Sequence, residues 1–124
     1  MSDPKKLKYT RDDEWLDYEG ELAVVGITDY AQHELGDLVF VNLPEVGDEV
    51  VAGEAFGDVE SVKAVADVNS PVTGVVAEIN EALLDDAALI NEDAYAAWFI
   101  KVENVSDTEE LMSADEYDAY LETR

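Results

Sequence analysis

Lys63 stands in the run Asp58-Val59-Glu60-Ser61-Val62-Lys63-Ala64-Val65-Ala66-Asp67, and between Arg11 and Arg124 the only other lysine or arginine is Lys101. An amine kept among small and β-branched neighbours, in a chain that has shed nearly every other cation, points to chemistry at that amine. Two kinds are open to it. A catalytic lysine acts as nucleophile or base once burial or a neighbouring cation has lowered its pKa. A carrier lysine is acylated by another enzyme and needs only to be reached. Glu54 to Val62 and Ala64 to Ser70 read as two strand-like arms joined by the tight turn Val62-Lys63-Ala64. A hairpin tip projects its side chain into water, which makes the amine a poor resting nucleophile but opens it to a modifying enzyme. The sequence offers no buried pocket and no partner base for lysine catalysis. The plain alternative, one more exposed lysine on a turn, loses weight where lysines are so few.

The elements that would hold this tip are short and β-rich. Glu14-Trp15-Leu16-Asp17-Tyr18 and Glu21-Leu22-Ala23-Val24-Val25 flank Glu19-Gly20 as a hairpin. Thr28 caps a short helix through Leu35, with Gly36 as its C′ residue. Leu38 to Leu43 is a buried strand by composition, stopped by Pro44 and Gly47. Val50 to Ile79 is a series of strands broken at Gly53, Gly57, Asn69-Ser70-Pro71 and Gly74, and Trp98-Phe99-Ile100-Lys101-Val102 closes the sheet region. Ser106 with Glu109, and Ser113 with Glu116, read as two capping boxes that open short terminal helices. The expected product is one mainly β domain over residues 1–124, with a β sandwich at about 7–102 and C-terminal helices at about 106–122.

Composition narrows the function classes. The chain has no cysteine, which excludes disulfides, thiolate metal sites and a cysteine nucleophile. Its 31 acidic residues against 7 lysines and arginines repel a phosphate backbone, so nucleic acid is not an expected partner. A hydrophobic fraction of 48% is too high for a disordered acidic chain. No apolar run approaches the ~20 residues of a membrane span, and Met1-Ser2-Asp3-Pro4-Lys5-Lys6-Leu7-Lys8 is not followed by a signal-peptide core; the expectation is a cytoplasmic protein without a membrane partner. His33, the only histidine, reads as a surface or helix-end residue, since no serine, histidine and acid set accompanies it. Asp12-Asp13-Glu14 and Asp85-Asp86 fit no EF-hand spacing, and no metal is assigned. Trp15 and Trp98 read as core or sheet-edge aromatics.

The surroundings of Lys63 resemble the H protein of the glycine cleavage system. Glu60-Ser61-Val62-Lys63-Ala64 and Asp67-Val68-Asn69-Ser70-Pro71 lie at the centre of a likeness that runs from about Leu7 to Val102. It includes Glu14-Trp15, Val25-Gly26-Ile27-Thr28-Asp29-Tyr30-Ala31-Gln32, Leu35-Gly36-Asp37 and Leu43-Pro44-Glu45-Val46-Gly47, all in the family's order. The resemblance implies a flattened barrel-sandwich hybrid of the lipoyl and biotinyl type, with short helices and a helical C-terminal tail. It implies lipoate in amide linkage to Lys63, with Glu60 and Gly74 used in recognition by the lipoate-attaching enzyme. It also implies an arm cleft lined by Glu14, Asp67 and Ser70. The implied role is a monomeric carrier with no catalysis of its own. Such a carrier takes an aminomethyl group from glycine decarboxylase to the tetrahydrofolate-dependent aminomethyltransferase, and dihydrolipoamide dehydrogenase reoxidises it.

Two stretches depart from the family pattern. Asp13 stands where the family usually has His before Glu-Trp, and Ala94-Tyr95-Ala96-Ala97-Trp98 lacks the Pro-Tyr and glycine-bearing turn and is one residue shorter. The competing carrier, a biotinyl domain or the lipoyl domain of another multienzyme complex, is disfavoured because biotin sites put Met on both sides of the lysine. Here Val62 and Ala64 stand there.

The formal net charge of -24 has a consequence for habitat. Like charges at this density destabilise the compact state in dilute buffer, and molar salt shortens the screening length to about 3 Å. A salt-rich cytosol follows as an expectation. The thermal midpoint should rise steeply from dilute buffer to molar KCl; a melting curve indifferent to KCl would separate the acidic surface from salt adaptation.

Overall fold

The computed structural model describes residues 4–123, so the Met1-Ser2-Asp3 start of the basic segment lies outside the described residues. After β1 (Lys8–Tyr9), β2 (Glu14–Glu19) and β3 (Leu22–Ile27) form the expected hairpin, in which Gly20 supplies a φ of 63° that a side chain would resist. Helix α1 (Asp29–Leu35) begins where Thr28 Oγ1 accepts the Ala31 N–H at 3.2 Å and ends at Gly36, whose φ is 82°. There follow β4 (Leu38–Asn42), β5 (Glu49–Val50), β6 (Ala55–Ser61), β7 (Val65–Asn69) and β8 (Val72–Ile79). Two short helices, α2 (Ala82–Asp85) and α3 (Ala88–Glu92), lead to β9 (Ile100–Thr108) and α4 (Ala114–Leu121).

The strands make a six-stranded sheet in the order β1-β2-β3-β9-β8-β5 and a three-stranded sheet in the order β4-β6-β7. Leu16, Val25, Val72, Val76, Ile100 and Val102 of the larger sheet meet Leu38, Val41, Val59 and Val68 of the smaller one in a single core. The fold is the flattened barrel-sandwich type expected from the resemblance. Period-2 alternation sends the other residues of β2 and β3 to the opposite face, where Trp15 and Val24 join Leu7, Tyr9, Met112 and Tyr117 in a second cluster. Both faces of the β2–β3 hairpin are therefore covered, the outer one by the chain's start and by α4. Trp15 Nε1 donates to the Ala94 carbonyl at 3.1 Å, and its ring lies so close to Gly26 that a Cβ there would fall 2.5 Å from the indole. Among the described residues no helix is long and apolar enough to cross a membrane.

Two expectations from sequence need correction, and one departure from the family pattern finds its explanation. Ser106 and Glu109 open no helix: Ser106 lies inside β9, whose pairing with β8 continues to Val72↔Thr108. The reason is non-local. The start of β8 needs a hydrogen-bonded neighbour, and that ladder outcompetes a local cap. The sandwich accordingly extends past Val102, and the tail shortens to α4, where Ser113 and Glu116 do form a complete capping box. Leu38 to Leu43 is not uniformly buried either. A register shift between Leu38 and Phe40 turns Val39 and Phe40 outward, with 58% and 48% of their surface exposed. Finally, the shortened stretch before Trp98 is closed without Pro or Gly, because Asp93 Oδ1 accepts the N–H groups of Tyr95 at 3.1 Å and Ala96 at 3.3 Å.

Candidate functional site

Lys63 is exposed at the tip between β6 and β7. Ser61 shapes that tip. Its N–H donates to the Ala64 carbonyl at 2.8 Å, while its Oγ accepts the N–H groups of Lys63 at 3.2 Å and Ala64 at 3.0 Å. The turn is also tied to the body of the protein, because the Val62 N–H donates to the Asp37 carbonyl at 3.1 Å. The lysyl stem runs past Gly36, the residue that ends α1: a Cβ there would lie 3.7 Å from Lys63 Cε. A rigid, doubly anchored turn thus aims a flexible side chain at the C-terminal end of α1.

Glu60 and Gly74 fall in different places. Glu60 sits just before the tip on β6, in a cross-strand row between Phe40 of β4 and Val65 of β7. Gly74 is buried in the other sheet, paired with Val50 and flanked by a register shift against β9. A Cβ at Gly74 would come within 2.5 Å of the Glu103 carbonyl oxygen and of Val102 Cγ1. The position is buried, and the close approach of Glu103 and Val102 requires glycine there on steric grounds.

A cleft of about 230 Å³ opens between three walls: Asp12, Asp13 and Glu14 ahead of and at the start of β2; Tyr30, Ala31, Glu34 and Leu35 on α1; and Ala66, Asp67 and Val68 on β7. Helix α1 spans 7 residues, about 10 Å of rise at ~1.5 Å each, from the Glu14 end of the cleft to the Lys63 stem at Gly36. Of the three residues expected in an arm cleft, the structure brings Glu14 and Asp67 together. Ser70 is absent from this lining: its hydroxyl, 1% exposed, donates to the Val72 carbonyl at 2.6 Å and accepts the Val72 N–H at 3.2 Å, which fixes the turn into β8. Asn69 holds the neighbouring place. Its backbone N–H donates to Glu14 Oε2 at 3.4 Å, and its side chain donates to Asp12 Oδ2 at 3.3 Å.

Glu14 is a buried carboxyl. Alternation along β2 explains why: Trp15 takes the outer cluster, so Glu14 and Leu16 face inward. Thr10 Oγ1 donates to Glu14 Oε1 at 2.6 Å and accepts the Glu14 N–H at 3.2 Å. Nothing in the spacing of Thr10 or Asn69 marks either residue in advance; the β1–β2 turn delivers Thr10, and the packing of one sheet on the other delivers Asn69. Burial pushes the Glu14 pKa up to about 8, and the nearby Asp12 and Asp13 add to the rise, against the lowering by the Thr10 and Asn69 hydrogen bonds. A carboxyl raised that far is mostly neutral at pH 7. Among the described residues no group of His, Asp or Glu is arranged to hold a metal ion.

Because the folded pKa lies above the unfolded value of 4.5, the folded state holds the extra proton between pH 4.5 and about 8. Stability from this group is therefore complete at low pH and lost as pH rises through that window. Glu14→Gln, which cannot ionise, should lose less stability than the parent from pH 5 to pH 8. Denaturant unfolding across that range should show a difference that widens with pH by roughly 1 kcal/mol per unit; a constant difference would mean Glu14 titrates normally.

The sequence profile of the family described as Glycine cleavage H-protein matches residues 7–124. The glycine cleavage system H protein of Lachnoclostridium phytofermentans is 56% identical over 118 residues, which are 94% of this chain and 93% of that protein. That of Geobacillus kaustophilus is 51% identical over 124 residues, 98% of each chain. The crystal structure of a glycine cleavage system H protein from Mycobacterium marinum superposes with a TM-score of 0.91 at 43% identity, over 96% of this chain and 98% of that one. A likeness that spans nearly the whole of both partners, in sequence and in backbone, places this chain in the glycine cleavage H-protein family.

Proposed function

We propose that Lys63 is the single attachment point of the lipoyl group through which this member of the glycine cleavage H-protein family acts as a carrier. The supporting observation is the tip itself: an exposed amine on a turn pinned by Ser61 and Asp37, with its stem lying along Gly36 at the end of the cleft wall. The residues fit the group. The tip leaves the amine free for amide formation, and a glycine leaves room beside the stem. The cleft offers an acyl chain Leu35, Ala31 and Ala66, and offers a cation Glu14 and Asp67. When bound, the lipoyl dithiolane supplies the sulfur that takes up the aminomethyl cargo.

The chain's own residues then position and shield. The Ser61-pinned turn keeps Lys63 presented to glycine decarboxylase, to the aminomethyltransferase, to dihydrolipoamide dehydrogenase and to the lipoate-attaching enzyme, the four partners this role requires. Glu60, beside the tip, lies on the surface the attaching enzyme would meet. An arm folded back along α1 reaches the Glu14 end over about 10 Å, a distance an extended acyl chain can cover. There a cationic amine draws the proton off Glu14, because an adjacent positive charge favours the carboxylate. Glu14 would thereby give up its proton and pair with the cation in a sheltered site, where such a pair is stronger than in bulk water. The cleft also keeps water from the labile cargo.

Lys63→Arg keeps a cation but cannot form the amide. Expressed with its lipoylation machinery, this variant should gain no lipoyl mass and support no glycine cleavage, while its stability stays within about 0.5 kcal/mol of the parent; lipoate found on Lys101 would refute the assignment. Glu14→Ala should be lipoylated normally, and its methylamine-loaded form should decay several-fold faster. An unchanged lifetime would remove the sheltering role and leave the carrier role intact.

A further inference from the structure

Tyr117 lies on α4, which contributes no residue to the cleft lining, yet its hydroxyl meets Asp13 of one cleft wall and Thr28, the N-cap of the helix that forms another. Oη donates to Asp13 Oδ1 at 2.9 Å and lies 2.8 Å from Thr28 Oγ1. The proton directions are fixed by chemistry. An aspartate carboxylate only accepts, so Tyr117 spends its one hydrogen there and Thr28 must donate to Tyr117. Thr28 Oγ1 in turn accepts the Ala31 N–H at 3.2 Å. The chain of donors runs from Ala31 through Thr28 and Tyr117 to Asp13. Its two ends, Ala31 on α1 and Asp13 beside Glu14, belong to two adjoining walls of the cleft.

A second tie runs alongside. The Thr28 N–H donates to the Asp13 carbonyl at 2.9 Å, and Asp13 holds a φ of 69°, a left-handed conformation in which a non-glycine residue needs support. The ring that carries the hydroxyl is itself immobilised: Tyr117 is 3% exposed and stacks on Tyr9 with centroids 4.6 Å apart and planes within 6°. Burial raises the phenol's pKa, so it stays a donor. We propose that Tyr117 is a positioning residue whose hydroxyl sets the separation of the cleft walls, so that α4 bears on how tightly the loaded arm is held through this one group and not through the stability of its first turn. This rests on the reading of the cleft as the arm's shelter.

Tyr117→Phe keeps the stacked ring and deletes only the hydroxyl. The discriminating measurement is the titration of the Glu14 carboxyl by ¹³C NMR in the unmodified protein, with the resonance identified by its loss in Glu14→Gln. If the hydroxyl holds the walls together, its removal lets water reach Glu14, and the midpoint falls from about 8 by roughly half a unit or more. A cleft that kept its width would answer with the opposite sign. Asp13, with the Tyr117 hydrogen bond gone and its other interactions kept, would press its negative charge more strongly on Glu14, with Asp12 on the same wall and Glu34 and Asp67 on the other two unchanged. Ser113→Ala is the control: it weakens α4 by breaking the capping box yet leaves the hydroxyl in place, so Glu14 should titrate as in the parent. A midpoint that rises or stays in Tyr117→Phe overturns the proposal, as does an equal fall in Ser113→Ala. In the lipoylated, methylamine-loaded protein, Tyr117→Phe should shorten the lifetime several-fold. If Glu14→Ala shortens that lifetime and Tyr117→Phe does not, the shelter stands and the control by α4 fails. If neither does, the shelter reading falls, and the fall in the Glu14 midpoint alone decides whether Tyr117 sets the walls.

Discussion

The contact between Trp15 and Gly26 is the constraint from which the site follows. The two residues are partners across the β2–β3 hairpin, and the indole lies where any side chain at Gly26 would stand. With Trp15 committed to the outer face and bonded to the Ala94 carbonyl, the pleat leaves no choice for its neighbours. Leu16 enters the core and Glu14 turns inward at the mouth of the sandwich, where β7 passes. A one-residue slip would exchange the faces, expose the tryptophan and free the carboxyl. The tryptophan's bulk and the glycine's lack of it together keep an acid buried where a carrier of cationic cargo has use for it.

Burying Glu14 costs the fold, and the cost is contained locally. Thr10 and Asn69 satisfy its oxygens, and near neutrality a proton relieves its charge. The neighbouring acids Asp12, Asp13, Glu34 and Asp67 make the cleft a well of negative potential around the buried Glu14. The same surplus of acid over the rest of the surface is relieved at Lys101, which bonds Glu19 at 3.0 Å and approaches Glu78 at 3.5 Å while lying 4.8 Å from the Trp98 ring. Lys63 has a different setting, at a tip rather than on a sheet. That contrast between the two lysines beyond Arg11 separates the one that braces the sheet from the one exposed at a hairpin tip.

The sequence alone determined the local elements and the reactive tip. Glu19-Gly20, Thr28 with Gly36, and Ser113 with Glu116 each carry their turn or cap in their own side chains, so they form as read. The Val62-Lys63-Ala64 turn is likewise local, with Ser61 closing it from one residue away. What depends on distant partners was not legible. Ser106 and Glu109 carry a cap signal, but β8 claims Ser106 for a strand; Val39 and Phe40 look buried, but a register shift turns them out. Gly74 and Ser70 stand in the motif region, yet packing against β9 and a bond to Val72 account for them. Only the tertiary structure could bring Asn69 to the Glu14 carboxyl and Tyr117 to the neighbouring Asp13. Their sequence separations carry no periodic signal, and the energy that assembles them comes from strand pairing and burial between segments up to 104 residues apart.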